Sequence, residues 1–345
     1  MKEGILIYAL NNNSINYLEL AIFAAKRVKQ YLNKPVAIAT DSPDYLIKIC
    51  PEYKDIFDYL IKIVVINKYN NNNKKPIKNS NDNYETNIAI PKETTENVDK
   101  AQITQVTKNE TTLRNILEID YFLEIEFEDL LGQNRIYFDG SVANKILPFK
   151  NSIRIKSYEI TPFDKTLIID ADYIISNDKL NHVWSQEKDI LLYKKSVDMS
   201  GHRYDPRSYT ISDKSIDFYW ATVCYFEKTD FTKIFFDLLE HIYENWGYYV
   251  LFYQLESKMY RNDFAFSIAI HILNGYEKNQ LIGEFSDSLC YTLDKDILIE
   301  INDSKLKFLI EKQDYYGEYT LLKTEDLNIH IMNKFSIERF IKGIA

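Results

Sequence analysis

The chain has 345 residues, 46% of them hydrophobic, which is enough apolar material for a large core. Its formal net charge of −9 argues against a protein that grips nucleic acid through broad phosphate contacts, although a local basic cleft remains compatible with it. Three cysteines at long spacings, Cys50, Cys224 and Cys290, form neither a disulfide framework nor a zinc knuckle and fit a reducing compartment.

In chain order, residues 4–10 read as a buried strand ending at the polar turn 11–14. This apolar run is too short for a signal peptide. No stretch approaches the roughly 18 apolar residues of a membrane span, so a cytoplasmic location is expected. Apolar positions Leu18, Ala21, Ile22, Ala25 and Val28 recur at helical spacing and predict a helix over 15–32. Lys34-Pro35 breaks it, and 36–40 is a second buried strand closed by Asp41-Ser42-Pro43. Strand, helix, strand with short polar junctions is a βαβ unit, hence a parallel sheet. A further helix over 44–50 and a strand over 61–66 follow.

Residues 68–109 are dominated by Asn, Lys, Thr and Glu, the composition of a disordered or extended insertion or a solvated surface loop. Order returns over 116–131. Residues 166–169 form a buried strand that runs straight into Asp170-Ala171-Asp172. Strands over 189–193 and 221–226, amphipathic helices over 229–245 and 263–273, and strands near 298–301, 306–311 and 327–332 complete the reading. The expected class is α/β: a doubly wound half followed by a mixed α+β half. There is no G-x-G-x-x-G and no Walker A sequence, which disfavours a dinucleotide fold or a P-loop kinase.

In open parallel sheets ligands bind beyond the carboxyl ends of the strands, where Asp41, Asp170 and Asp172 fall. Two acids at a strand end are often only a turn or a cap. Here apolar runs on both sides place the pair inside the fold, where unpaired carboxylates are costly. Mg²⁺ or Mn²⁺ is the natural counter-charge, because hard cations prefer carboxylate and phosphate oxygens.

Thr166-Leu-Ile-Ile-Asp170-Ala-Asp172-Tyr173 resembles the strand and D-x-D of GT-A-fold glycosyltransferases, in particular the glycogenin and lipopolysaccharide galactosyltransferase group. Residues 218–229, Phe-Tyr-Trp-Ala-Thr-Val-Cys-Tyr-Phe-Glu-Lys-Thr, resemble that family's acceptor-side strand and the start of its helix. Arg261-Asn262-Asp263 resembles the polar pair that meets donor sugar and acceptor. Ile329-His330-Ile331-Met332-Asn333-Lys334 resembles the segment that supplies a metal-binding His and a diphosphate-binding Lys, without the Gly and Pro-Trp usual there. Similar Asp-Ala-Asp-Tyr and Tyr-Arg-Asn-Asp segments occur in phage proteins, in which case the location would be a host cytoplasm.

The resemblance implies one GT-A-like, Rossmann-like domain over 1–345, with a mixed, mostly parallel sheet and flanking helices. Residues 1–66 and 110–200 would form the nucleotide-sugar half. Residues 201–345 would form a smaller α+β acceptor half. It implies a metal held by Asp170, Asp172 and His330, a nucleotide-diphosphate sugar (a UDP-sugar above all) met by Asp170, Asp41, Arg154 and Lys334, and catalytic roles for Asn262 and Asp263. The plain alternatives are a packed strand histidine for His330, a solvated lysine for Lys334, a turn acid for Asp41, a surface strand for Arg154 and Lys156, and a helix cap for Asp263. Trp220 and Trp246 are sugar walls or core, His202 and Arg203 sit in a polar loop able to cover an acceptor, and His241 and His271 are structural.

The function expected is metal-dependent transfer of a sugar to a hydroxyl of a polysaccharide, a protein or a modified DNA base, with the retention that the family implies. Two alternatives stand beside it. One is a non-catalytic binding or assembly protein of the same fold. The other is a nucleotidyltransferase, against which the 11–14 junction counts, since it lacks Gly and Arg.

Overall fold

The computed structural model describes residues 1–67, 122–201, 210–211, 216–277 and 281–343. The 68–109 insertion, His202 and Arg203 lie outside the described residues. In chain order the strands are β1 (Glu3–Ala9), β2 (Val36–Thr40), β3 (Tyr59–Asn67), β4 (Phe122–Asp129), β5 (Asn134–Asp139), β6 (Ala143–Pro148), β7 (Lys165–Ile169), β8 (Tyr173–Ile174) and β9 (Ile190–Tyr193). They continue with β10 (Ser196–Asp198), β11 (Trp220–Glu227), β12 (Gly283–Glu284), β13 (Leu289–Thr292), β14 (Ile297–Asn302), β15 (Lys305–Glu311), β16 (Tyr319–Glu325) and β17 (Ile329–Ile331).

The fold is mixed α/β around an eight-stranded sheet of order β12-β9-β11-β7-β1-β2-β3-β4. Only β11 runs against the others: it pairs antiparallel with both β7 and β9, while the remaining pairs are parallel. The central strands are apolar on both faces. β2 is buried throughout, and β1 from Gly4 onward, as strands covered on both sides must be.

The helix Tyr17–Tyr31 buries Leu18, Leu20, Ala21, Ala24, Ala25 and Val28 and packs on β1 and β2, and the Asn16 side chain caps its Glu19 amide. The helices Asp230–Glu244 and Asn262–Leu273 pack on each other, with Phe235 edge-on to Phe266 at 5.3 Å between ring centres. These elements agree with the strands and helices read from the sequence to within a residue or two at most ends.

Three smaller sheets complete the described fold: β10-β13-β17-β8, β14-β15-β16, and the hairpin β5-β6. The first ties the last strand of the chain to the residues that follow Asp172. The other two contribute residues of β5, β6 and β15 to the lining of a cavity.

Gly4 shows how tightly the sheet is packed. A Cβ added there would lie 2.3 Å from the ring of Phe163, itself buried. Gly4→Ala is expected to destabilise the protein by about 1–3 kcal/mol through overpacking. Urea unfolding would show a lower midpoint at unchanged slope, and a midpoint equal to wild type would contradict this packing.

Candidate active site

Asp170 leaves the C-terminal end of β7 and enters a tight turn, in which the Tyr173 N–H donates to the Asp170 carbonyl at 3.0 Å. The Asp170 N–H donates to the Thr222 carbonyl of β11 at 3.0 Å, which anchors the turn to the reversed strand. The register of β8 with β17 then sets the third partner. His330 lies opposite Tyr173, and the Ile331 N–H donates to the Asp172 carbonyl at 3.0 Å. Backbone pairing alone therefore brings His330 beside the acids. Its Nε2 is 3.2 Å from Asp172 Oδ2 and 4.0 Å from Asp170 Oδ2, and its Nδ1 is 3.3 Å from Thr222 Oγ1. Ligand atoms of Asp170, Asp172 and His330 all lie within 4.8 Å of one another.

Two cations balance the acids. Arg154 pairs with Asp170 and also donates to the Ala221 carbonyl. Lys334 pairs with Asp172 at 2.6 Å. Arg154 is 1% exposed and sits in a 3-10 helix, Ser152–Lys156, rather than on a surface strand. Lys334 opens the helix Lys334–Ile341, an unfavourable end of the helix dipole for a positive charge. Asp172 supplies what that position lacks.

The two carboxyls titrate differently. Burial raises the Asp172 carboxyl, but Lys334 and His330 outweigh it and hold the group below the usual carboxylate range. For Asp170, burial and the neighbouring Asp172 outweigh Arg154, and the carboxyl is raised.

The triad lies in a cavity of about 560 Å³. Asn262, Asp263, Arg154 and Lys334 also line it, together with Trp220. Asp263 spends both carboxylate oxygens, one on the Ala221 N–H at 2.8 Å and one on Arg261 at 2.8 Å. Asn262 donates to the Asn151 carbonyl at 2.9 Å, while its Oδ1 is buried without a hydrogen-bond partner.

Asp41 stands apart. It is not among the lining residues, and it accepts from Lys150 at 3.0 Å and from the Asn11 N–H at 3.3 Å. Lys150 does line the cavity. Lys156 pairs with Glu240 away from it, and Trp246 is buried, donating to the Lys258 carbonyl at 2.8 Å. His271 accepts or donates at Tyr253 Oη, 2.9 Å away, within the helical layer.

Sequence reasoning read β14 and β15 as strands but missed the β5–β6 hairpin and the cavity wall the two make together, with Arg135, Phe138, Asp294, Lys295 and Glu311 on the cavity. A local signal for the hairpin was Asp139-Gly140, a turn pair in which Gly140 takes a φ of +71°.

No protein-family model matches the chain, and no curated protein matches it. Solved structures resemble it at low similarity. The glycosyltransferase GlyE of Streptococcus pneumoniae TIGR4 is 8% identical, with a TM-score of 0.33 over 83% of this chain and 46% of that one. The chain thus spans about half the length of GlyE. The galactosyltransferase LgtC, solved with donor and acceptor sugar analogs, is 14% identical, with a TM-score of 0.34 over 79% and 70%. Bifunctional IspDF of Campylobacter jejuni is 8% identical, with a TM-score of 0.31 over 78% and 47%.

The depressed Asp172 carboxyl has a pH signature. Its ionised form is favoured in the fold, so the pairing stabilises the protein above the unfolded aspartate value of about 3.9 and is lost as pH falls below it. In divalent-free buffer, urea unfolding from pH 6 to pH 3 should show a steep acid limb in wild type that is shallower in Asp172→Asn. Identical acid limbs would contradict the pairing.

Proposed function

We propose that this chain is a metal-dependent glycosyltransferase that moves a sugar from a nucleoside-diphosphate sugar to an acceptor hydroxyl. The carrying observation is the convergence of Asp170, Asp172 and His330 in a cavity lined by seven basic and five acidic side chains, in a chain of net charge −9. A cavity of about 560 Å³ suits a ligand of nucleotide-sugar size.

The residues present fit a divalent cation. Two carboxylates and one imidazole nitrogen form a donor set for Mn²⁺ or Mg²⁺, and Thr222 at Nδ1 orients the ring so that Nε2 faces the acids. When bound, the ion supplies Lewis-acid stabilisation of negative charge on a diphosphate.

The protein's own groups carry the rest. Arg154 and Lys334, which balance the acids, are placed to share their positive charge with phosphate oxygens. In the transfer, the bond from the anomeric carbon to the phosphate oxygen breaks and its electron pair leaves with the diphosphate. The acceptor oxygen bonds that carbon through an oxocarbenium-like state, and the hydroxyl proton leaves with the diphosphate. Asp263, held at both oxygens by Ala221 and Arg261, positions the start of its helix rather than accepting that proton. Asn262 keeps an unpartnered Oδ1 for a sugar hydroxyl. This proton route goes with delivery of the acceptor on the same face as the leaving group, and so with the retained configuration that the family resemblance implies.

Titration with UDP, with and without Mn²⁺, tests the reading on wild type and Asp172→Ala. Binding is expected to need metal and to weaken at least about tenfold in the variant, the loss of one charge-assisted ligand. If no nucleoside diphosphate binds with any divalent cation, the reading fails. Lys334→Met is expected to lower turnover on the order of 10²-fold while Mn²⁺ still binds, as loss of one group stabilising leaving charge does. Turnover within twofold of wild type would remove Lys334 from that role.

A further inference from the structure

The cavity wall opposite the metal triad has a chemistry of its own. Its frame is fixed by three contacts. Arg339 makes two hydrogen bonds to Asp139. Ser141 donates to Glu311 and lies 2.7 Å from Tyr319 Oη. The Gly317 N–H donates to Glu311 at 3.0 Å. These bonds tie the tip of the β5–β6 hairpin to β15, to β16 and to the last helix.

Two cations stand on this frame with unused hydrogen-bonding capacity. Arg135 lies over the rings of Tyr137 and Phe149, 5.3 and 5.9 Å from their centres. Among the described residues its one hydrogen bond goes to Asp294 at 3.2 Å, although a guanidinium has five N–H donors. Lys295 stands between Phe138 and Tyr316, 5.8 and 5.1 Å from the ring centres. Its Nζ makes a loose ion pair with Glu311 at 3.7 Å, which leaves donors of the ammonium unused. Glu311 already accepts from Ser141 and Gly317. The wall meets the metal floor at Tyr137: Arg135 covers that ring, and Lys334 Nζ lies 6.0 Å from its centre.

A neutral sugar is gripped by carboxylates, amides and aromatic faces. Cations with donors left over after their carboxylate partners fit an oxyanion, and aromatic faces beside them fit the body of a sugar ring. The donor diphosphate has its own cations, Arg154 and Lys334, on the floor.

We propose that this wall is the acceptor subsite and takes a sugar bearing an oxyanion, carboxylate or phosphate, held by Arg135 and Lys295 with Phe138 bordering the ring. The word acceptor rests on the glycosyltransferase reading; the oxyanion preference rests on the wall alone.

The test uses the whole protein and three probes, glucose, glucuronate and glucose 6-phosphate, followed by saturation-transfer NMR without nucleotide and then with UDP and Mn²⁺. Wild type is expected to bind the two charged probes at least about tenfold more tightly than glucose, the gain from one or two charge-assisted hydrogen bonds. Lys295→Gln, on a partly exposed side chain, and Arg135→Gln are each expected to erase most of that preference. Lys334→Gln is expected to leave it, and UDP with Mn²⁺ is expected not to compete. Which charged probe binds better identifies the oxyanion. Equal binding of all three probes would overturn the proposal. So would charged-probe binding that UDP displaces and Lys334→Gln abolishes, since the oxyanion would then occupy the donor floor. If UDP itself fails to bind, the donor reading falls while the wall's preference can still be read.

Discussion

Asp170 and Asp172 are delivered by one tight turn to a cavity wall, where two carboxylates repel each other and burial disfavours the charge on both. The structure answers this with two cations and an imidazole from three separate parts of the chain. Arg154 comes from the 3-10 helix before β7, His330 from β17, and Lys334 from the first turn of the last helix. Each is awkward where it stands. Arg154 is an arginine with almost no exposure, and Lys334 is a lysine at the positive end of a helix dipole. The acids make both placements favourable, and their own position depends on these cations in turn.

That mutual dependence explains the topology around the site. β11 runs against the other seven strands of the main sheet, and its Thr222 carbonyl holds the Asp170 amide while its Thr222 hydroxyl meets His330. β17 returns from the end of the chain to pair with the two residues of β8, which places His330 by register rather than by a flexible side chain. On the proposed reading, the cations that balance the acids are the ones that turn to phosphate oxygens once a divalent ion occupies the carboxylates. The wall of β5–β6 and β14–β16 then closes the other side and offers a second, independently charged surface.

Much of this was legible because it depends on local pattern. Continuous apolar runs marked β1, β2 and β7. The helical spacing of Leu18, Ala21, Ala25 and Val28 marked the first long helix. An apolar strand ending in Asp170-Ala-Asp172 marked the site, and its resemblance to a known motif pointed to His330 and Lys334. The opposite wall was hidden for a physical reason. The β5–β6 hairpin carries exposed apolar residues, Ile136 and Ile146, so alternation there gives little sign of an inner face. Arg135, Lys295 and Glu311 look like ordinary surface charges until the fold sets them on one cavity. Asp41, whose place at a strand end suggested a ligand, is engaged by Lys150, which also reaches the Asn11 carbonyl.

The central claim is that Asp170, Asp172 and His330 hold one divalent cation. Anomalous diffraction from crystals grown with Mn²⁺ and UDP tests it most directly. The account predicts a single manganese peak within about 2.0–2.6 Å of a carboxylate oxygen of each aspartate and of His330 Nε2, the usual reach of such ligands, with Lys334 turned from Asp172 toward the diphosphate. A peak elsewhere, or none while Lys334 stays on Asp172, would contradict it.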